Sequence, residues 1–221
     1  MTRLTREARA QVLEEALPYF QRYRKQTIVL KYGGHAMVDR DLKEAFARDL
    51  VLLEQARINP VVVHGGGPQI GKMLEELGIE SRFHGGMRIT DAQTMDVVEM
   101  VLAGQVNKEI VARIGRHGGQ AVGLTGRDAG LLRAVKMDAQ PSDQTPELID
   151  LGRVGMVESV DPTIIQTLEK SEIIPVVAPV GYGPGGVALN INADLVAQQV
   201  AIELSAERLL LMTDVDGVKD K

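Results

Sequence analysis

Residues 60–68 read Pro-Val-Val-Val-His-Gly-Gly-Gly-Pro, and the fold class follows from this short stretch. The continuous run of valines is typical of a β-strand that is covered on both faces, as in a parallel sheet. The three glycines allow a sharp turn at the end of that strand. Pro68 suits the first position of a helix, where its missing N–H costs nothing. The stretch therefore predicts a strand, a glycine loop and a helix in succession.

The same succession recurs along the chain. Further apolar runs end in glycine or in turn residues, at 27–30, 120–124, 173–177 and 207–212. Amphipathic segments predict helices between the strands, at 40–57, 68–77, 91–117, 161–171 and 192–204. This alternation predicts an α/β fold with a mainly parallel central sheet and right-handed crossovers. Residues 131–160 break the alternation and predict a β excursion at the edge of the first lobe, before a proline- and glycine-rich loop at 179–186.

The composition excludes several classes of protein. The chain has 221 residues, of which 44% are hydrophobic and 25% charged, a normal balance for a folded protein. Its net charge of −5 and its 3% of aromatic residues disfavour nucleic-acid binding. Cysteine is absent, which excludes disulfides and permits a reducing compartment, and no apolar run is long enough to span a membrane. We therefore expect a cytoplasmic protein with neither nucleic acid nor membrane as a partner.

Two glycine loops at strand ends indicate an anionic ligand. Residues 33–34 follow the first predicted strand and residues 65–67 follow the second. Glycines bring backbone N–H groups close to an oxyanion, and the helix that follows adds partial positive charge. Lys31 ends the first strand as a point charge, which suits a transferring phosphoryl group. The P-loop motif is excluded because Met73 stands where it has Ser or Thr, and the dinucleotide motif G-x-G-x-x-G is absent after the first strand.

Three polar residues outside these loops are candidates for ligand contacts. Arg88 lies between a glycine turn and a predicted helix start, and its guanidinium matches a carboxylate in shape. Asn190 precedes the last predicted helix, which Asn192 is expected to cap. Asp194 then falls in the first turn, where a carboxylate is favourable. The histidines lack metal-ligand spacing, so we expect them to be structural.

Six motifs follow one another along the chain: Lys31-Tyr32-Gly33-Gly34, His64-Gly65-Gly66-Gly67-Pro68, Gly86-Met87-Arg88-Ile89-Thr90, Gly123-Leu124-Thr125-Gly126-Arg127-Asp128, Asn190-Ile191-Asn192-Ala193-Asp194 and Thr213-Asp214-Val215-Asp216-Gly217. In this order and spacing they resemble the amino-acid kinase family, and within it the branch that phosphorylates N-acetyl-L-glutamate. The resemblance implies a three-layer α/β/α sandwich. It also implies that ATP with Mg²⁺ phosphorylates the side-chain carboxylate of N-acetyl-L-glutamate, a step of arginine biosynthesis.

The resemblance also implies a role for each candidate residue. Lys31 and Asp194 would be catalytic, the lysine stabilising the transferring phosphoryl group and the aspartate orienting it. The positions for the amino-acid substrate would be Gly66, Gly67, Arg88 and Asn190. The positions for the nucleotide and its phosphates would be Gly33, Gly34, Thr213, Asp214, Val215, Asp216, Gly217 and Val218. Mg²⁺ would be carried by ATP, with no metal ligand from the protein.

The organisation expected from the sequence has three parts. Residues 1–24 predict an N-terminal helix, bent or broken near Pro18, which resembles an oligomerisation arm that forms dimers or hexamers. Its Tyr19 would match a regulatory position near a site for arginine as an inhibitor. Residues 25–185 would form the amino-acid-binding lobe, and 186–221 the start of an ATP-binding lobe that looks incomplete, so we expect further sequence after Lys221.

Two alternative functions remain open at this point. A related kinase acting on aminoadipate or glutamate carried by a small protein would use the same loops. A non-catalytic amino-acid-sensing module would need only the first lobe and the N-terminal helix.

Overall fold

The computed structural model describes residues 5–141 and 148–212. The α-helices in these residues are α1 (Arg6–Tyr23), α2 (Arg40–Gln55), α3 (Gly67–Glu76), α4 (Ala92–Glu99), α5 (Asn107–Arg116), α6 (Thr163–Lys170) and α7 (Ala193–Glu203). The strands are β1 (Thr27–Tyr32), β2 (Asn59–His64), β3 (Phe83–His84), β4 (Met87–Arg88), β5 (Ala121–Thr125), β6 (Leu132–Lys136), β7 (Gln140–Pro141), β8 (Leu148–Ile149), β9 (Val154–Val160), β10 (Ile174–Ala178), β11 (Val180–Tyr182), β12 (Ala188–Ile191) and β13 (Arg208–Leu211).

Five parallel strands form the central sheet, in the order β13-β1-β2-β10-β5. They coincide with the five apolar runs that the sequence predicted. Side chains alternate across the sheet, so that Ile28 and Leu30 face one core while Val29 faces the other. Helices α2 to α5 cover the first face, and α6 and α7 cover the second. The predicted three-layer α/β/α sandwich with a mainly parallel sheet is confirmed.

The β excursion closes into a small barrel. Its strands β6 and β9 are antiparallel and are joined by β11 and β12, in the order β11-β12-β9-β6. The prediction of a loop over 179–186 was therefore wrong in part, because residues 180–182 are a strand. Gly181 explains the error: a β-carbon there would lie 2.8 Å from Cβ of Ala134, so the barrel interior requires glycine.

Helix α1 runs through Pro18 without a break. Its N-cap is Thr5, whose hydroxyl accepts from the N–H of Ala8. None of its residues is buried, and Val12 and Leu13 are among its exposed apolar side chains. Within residues 5–141 and 148–212, no helix is both long and apolar enough to cross a lipid bilayer.

Residues 91–117, predicted as one helix, contain a change of helix type. The segment Met100–Val106, here called the π segment, joins α4 to α5. The N–H of Asn107 donates to the carbonyl of Leu102, five residues earlier, which is the π-helical spacing. Periodicity does not distinguish such a segment from an ordinary α-helix, so the sequence could not reveal it.

Candidate active site

A cavity of about 180 Å³ lies beside the loop after β2, at the carboxyl end of the sheet. Its lining includes Gly66, Gly67, Arg88 and Asn190, which are the four residues predicted for the amino-acid substrate. These residues come from three separate segments of the chain. Ligands of open α/β sheets collect at this end of the strands.

The loop after β2 leads directly into α3, as predicted from Pro68. The helix begins at Gly67, with Gly66 as its N-cap residue. The first N–H groups of a helix have no acceptor within it, so they are available to an anion. A β-carbon on Gly66 would lie 2.6 Å from Cδ2 of Leu102, so glycine is required by this close contact with the π segment.

Arg88 is the main positive charge lining the cavity, and it is only 8% exposed. Its guanidinium donates to the hydroxyl of Ser81 and to the carbonyl of Gly67, and it lies over the ring of Phe83, 4.5 Å from the centroid. Burial lowers its pKa. Among the described residues no carboxylate forms an ion pair with Arg88, which is unusual for a buried charge.

Thr90 links Arg88 to Asn190, and the sequence analysis did not single it out. The Thr90 hydroxyl is fully buried, donates to the carbonyl of Arg88 at 2.7 Å and accepts from the Asn190 side-chain amide at 3.2 Å. The Thr90 carbonyl in turn accepts from the N–H of Arg153, next to Gly152. The sequence signal for a role of Thr90 in the site was its place in the same motif as Arg88. A threonine just before a helix is equally explained as a helix cap, so this signal was not specific.

Lys31 and Asp194 form an ion pair, with Nζ and Oδ1 3.1 Å apart. Asn192 caps α7 as predicted, accepting from the N–H of Asp194 at 2.7 Å, and so places the aspartate in the first helical turn. A β-carbon on Gly33 would lie 2.7 Å from Lys31 Nζ, so a side chain there would require the flexible end of the lysine to shift. Lys31 does not line the 180 Å³ cavity. Its partner Asp194 lies in the first turn of α7, and the start of that helix, Asn192 at the N-cap and Ala193, does line the cavity.

Behind the glycine loop lies a buried network that sequence reasoning missed. His64 is fully buried; its Nδ1 lies 2.8 Å from the Gly65 carbonyl and its Nε2 lies 3.1 Å from the side-chain amide nitrogen of Asn107. Burial lowers the pKa of His64 to about 4, so the ring is neutral at physiological pH. Asn107 lies in no recognisable sequence motif. It reaches His64 only through the π segment that precedes it and the packing of α5 on the sheet.

The remaining predicted residues lie apart from the cavity or outside the described chain. Gly34 begins a short 3₁₀ turn after β1 with a φ of 64°, which favours glycine. Tyr19 is exposed on α1. The positions predicted for the nucleotide at Thr213, Asp214, Val215, Asp216, Gly217 and Val218 lie outside the described residues. Within the described ranges, no three potential metal-ligating side chains cluster.

Comparison with known sequences places these features in a family. The model of the amino acid kinase family matches residues 26–221. The acetylglutamate kinase of Marinobacter nauticus is 59% identical over 215 residues, covering 96% of this chain and 74% of its own. The acetylglutamate kinase of Desulfotalea psychrophila is 57% identical over 216 residues, with 96% and 73% covered. The chain thus spans about three quarters of the length of these relatives.

Comparison with solved structures supports the fold. The N-acetylglutamate synthase of Neisseria gonorrhoeae, in complex with coenzyme A and N-acetyl-glutamate, superposes with a TM-score of 0.78 at 23% identity. The match covers 95% of this chain and 46% of the synthase. At that identity the likeness concerns the fold alone.

Proposed function

Since this chain belongs to the amino-acid kinase family, we propose that it transfers the terminal phosphoryl group of ATP to the side-chain carboxylate of N-acetyl-L-glutamate. The observation that carries the proposal is the buried guanidinium of Arg88 in a cavity that also contains the glycine loop and Asn190. A buried cation of this kind is stabilised by an anionic ligand. The acceptor supplies one, because it has two carboxylates.

The two ends of the acceptor have different partners in this proposal. Arg88 binds the carboxylate that does not react, with its guanidinium oriented by Ser81 and Gly67. Asn190, held by Thr90, contacts the polar backbone of the acceptor. The N–H groups of Gly66 and Gly67 hold oxygen atoms at the reacting end.

The donor is bound next to Lys31 and Asp194. A side chain at position 33 would shift Nζ from its place beside Asp194, whereas glycine leaves the ammonium group where it can meet a phosphate. Lys31 neutralises the charge that spreads over the transferring phosphoryl oxygens, and Asp194 holds the lysine in place. Gly33 and Gly34 approach the phosphates, and Mg²⁺ bound to ATP would supply further charge neutralisation there.

The reaction requires no general base. A side-chain carboxylate with an ordinary pKa of about 4.3 is already ionised at pH 7 and attacks as it is. The protein has then only to align the two substrates and to balance negative charge. Lys31 and Arg88 perform the second task from opposite ends of the acceptor.

The proposal extends to assembly and organisation. We propose that α1 mediates a homo-oligomer, dimer or hexamer, because its apolar residues Val12, Leu13 and Leu17 are exposed. Tyr19 on the same helix is the proposed regulatory position, with arginine as the inhibitor. Residues 25–185 would bind the amino acid and 186–221 would begin the ATP lobe, and the enzyme would act in the cytoplasm.

A trapping assay tests the function directly. Transfer to a carboxylate yields an acyl phosphate, which hydroxylamine converts to a hydroxamate that forms a coloured complex with iron(III). We expect hydroxamate to form with ATP, Mg²⁺ and N-acetyl-L-glutamate, and not with L-glutamate or when the acceptor is omitted. Release of ADP in step with hydroxamate verifies the stoichiometry.

The same assay separates the alternatives. Hydroxamate formed only with glutamate or aminoadipate attached to a carrier protein would reject the free amino acid as substrate. Calorimetric binding of N-acetyl-L-glutamate without any transfer would favour a sensing module. If the protein neither binds N-acetyl-L-glutamate nor phosphorylates it, the proposal is rejected.

A further inference from the structure

We propose that Asn107 and His64 are positioning residues that orient the glycine loop at residues 65–67. Asn107 holds the buried imidazole of His64 in its Nδ1–H form, and this N–H anchors the Gly65 carbonyl. The inference rests on the proposed phosphoryl transfer for its catalytic consequence. The hydrogen bonds from which it is drawn do not depend on that function.

The partners of His64 determine which ring nitrogen carries the proton. The Gly65 carbonyl can only accept, so Nδ1, at 2.8 Å, must donate. The Asn107 amide nitrogen also lies 2.8 Å from the carbonyl of Val176, which identifies it as the NH₂ group. Its other hydrogen has two acceptors within reach, Nε2 of His64 at 3.1 Å and the more distant carbonyl of Leu124 at 3.4 Å. Because the neutral ring carries its proton on Nδ1, Nε2 is unprotonated and accepts from the nearer amide nitrogen.

The opposite end of the Asn107 side chain confirms this orientation. Its oxygen accepts from Nζ of Lys108 at 3.1 Å, and a lysine ammonium can only donate. A β-carbon on Gly123 would collide with that same oxygen, so glycine in β5 is what allows Asn107 to approach the sheet. Glycine is therefore needed at position 123 for this close packing, a role that the sequence motif did not reveal.

The π segment brings Asn107 to this place. A π-helical turn adds one residue and rotates all that follows by roughly 100° relative to an uninterrupted α-helix. Without this turn, the Asn107 side chain would project from a different side of the helix. The same segment contributes Leu102, which packs against Gly66, so the π segment contacts both the loop and its anchor.

The anchored carbonyl belongs to the peptide that joins Gly65 to Gly66. Because a peptide unit is planar, holding its carbonyl toward His64 directs the N–H of Gly66 the opposite way. The N–H of Gly65 is itself bonded to the carbonyl of Tyr32 at 2.8 Å, so the loop is held on both sides of the turn. Electrostatic stabilisation depends on donors that are oriented before the reaction begins.

The tautomer is measured first, on the unmodified protein without ATP or acceptor. Nitrogen-15 NMR of the imidazole, assigned by loss of the signal in the His64→Asn variant, should show a protonated Nδ1 and an unprotonated Nε2 at pH 7. A ring protonated at Nε2 would overturn the proposal, whatever the enzyme turns out to phosphorylate.

Two substitutions of His64 then separate its two contacts. In His64→Asn the amide nitrogen lies near the former Nδ1 and still donates to Gly65; in His64→Gln it lies near the former Nε2 and does not. We expect kcat to fall about a hundredfold in His64→Gln and at most about threefold in His64→Asn, with KM for ATP unchanged in both. Equal losses of kcat in the two variants would contradict an orienting role.

A third substitution disturbs Asn107 without touching His64. Gly123→Ala should displace the Asn107 oxygen, shift the backbone amide signals of residues 65–67 and lower kcat about tenfold. Gly115→Ala on α5 is the matched control, because a β-carbon there meets nothing within 4 Å. If Gly123→Ala leaves the loop amide signals in place, the link through Asn107 is wrong. The amide signals are read without substrate, so this result is independent of the proposed reaction.

Discussion

The loops after β1 and β2 lie side by side and are joined by a hydrogen bond, yet they hold their polar groups in opposite ways. At the loop after β1, Lys31 pairs with Asp194, whose side chain is 51% exposed. At the loop after β2, His64 and Asn107 are 0% and 1% exposed. The first loop has a charged pair that is open to solvent on the aspartate side only, with the Lys31 side chain 16% exposed, and the second has a neutral network in the core.

This difference matches the demands of the two substrates in the proposed reaction. An ion pair with one solvent-exposed partner can rearrange at modest cost, which suits a lysine that must follow the charge of the moving phosphoryl group. A buried and fully bonded network is rigid, which suits an acceptor that must be aligned. The comparison predicts that damage at the first loop lowers turnover directly, whereas damage at the second lowers turnover through lost alignment and also affects acceptor binding and stability.

Removing the ammonium group at the first loop should have the largest effect. Lys31→Ala should lower kcat by about a hundredfold to a thousandfold, because the charge acts mainly in the transition state, while KM for N-acetyl-L-glutamate changes little. Lys72→Ala is the control, since Lys72 is exposed on α3 and its one ion pair within the described ranges is with Glu76 at 3.7 Å. Steady-state kinetics provide the comparison, and an unchanged kcat would remove Lys31 from the reaction.

Acid should destabilise the second loop in particular. The pKa of His64 is about 4 in the fold against an ordinary 6.5, so the neutral ring stabilises the protein above pH 6.5 and this contribution is lost as the pH falls toward 4. The loss should reach about 3 kcal/mol. Urea unfolding at pH 7 and pH 4 measures it.

The contribution of His64 is isolated by comparing variants in the same experiment. His64→Asn should show a smaller loss of unfolding free energy between the two pH values, because it has no imidazole to protonate. His84→Gln is the matched histidine control and should keep most of the loss seen in the unmodified protein, since it leaves His64 and its contacts in place. Equal losses in all three proteins would show that His64 contributes nothing to acid sensitivity.

Arg88 should affect binding more than turnover. Arg88→Gln removes the buried charge and should raise KM for N-acetyl-L-glutamate about thirtyfold, equivalent to about 2 kcal/mol, with a smaller change in kcat. Arg82→Gln, at an exposed neighbouring position, should leave KM unchanged. If Arg88→Gln instead lowered kcat more than it raised KM, the guanidinium would act at the reacting end of the acceptor, and its assignment to the non-reacting carboxylate would be wrong.

The hydroxyl of Thr90 should have the smallest effect of these groups. Thr90→Val leaves the Asn190 amide without its acceptor and should raise KM about fivefold, equivalent to about 1 kcal/mol. Thr90→Ser keeps the hydroxyl and should restore most of the affinity. If valine and serine have the same effect, the methyl packing of Thr90 matters and its hydrogen bonds do not.

Sequence reasoning predicted the features that repeat or that belong to local motifs. The valine run of β2 and its four counterparts became the parallel sheet, and Pro68 marked the start of α3 within one residue. The prediction failed where distant segments meet. The strand at 180–182 depends on Ala134 and Ile191 packing against Gly181, and no local pattern at the strand records those contacts.

The sequence by itself determined the layered α/β fold and the glycine loops, because short-range periodicity and backbone preferences act within a few residues. Its motifs, together with the family resemblance, also singled out Lys31, Arg88, Asn190 and Asp194 as candidates. Only the tertiary structure decided that Thr90 joins Arg88 to Asn190 and that Asn107 reaches His64. Both contacts join residues far apart in the chain, 100 and 43 positions respectively. A buried polar group must find a partner wherever the packed chain supplies one, and the location of that partner is a property of the whole fold.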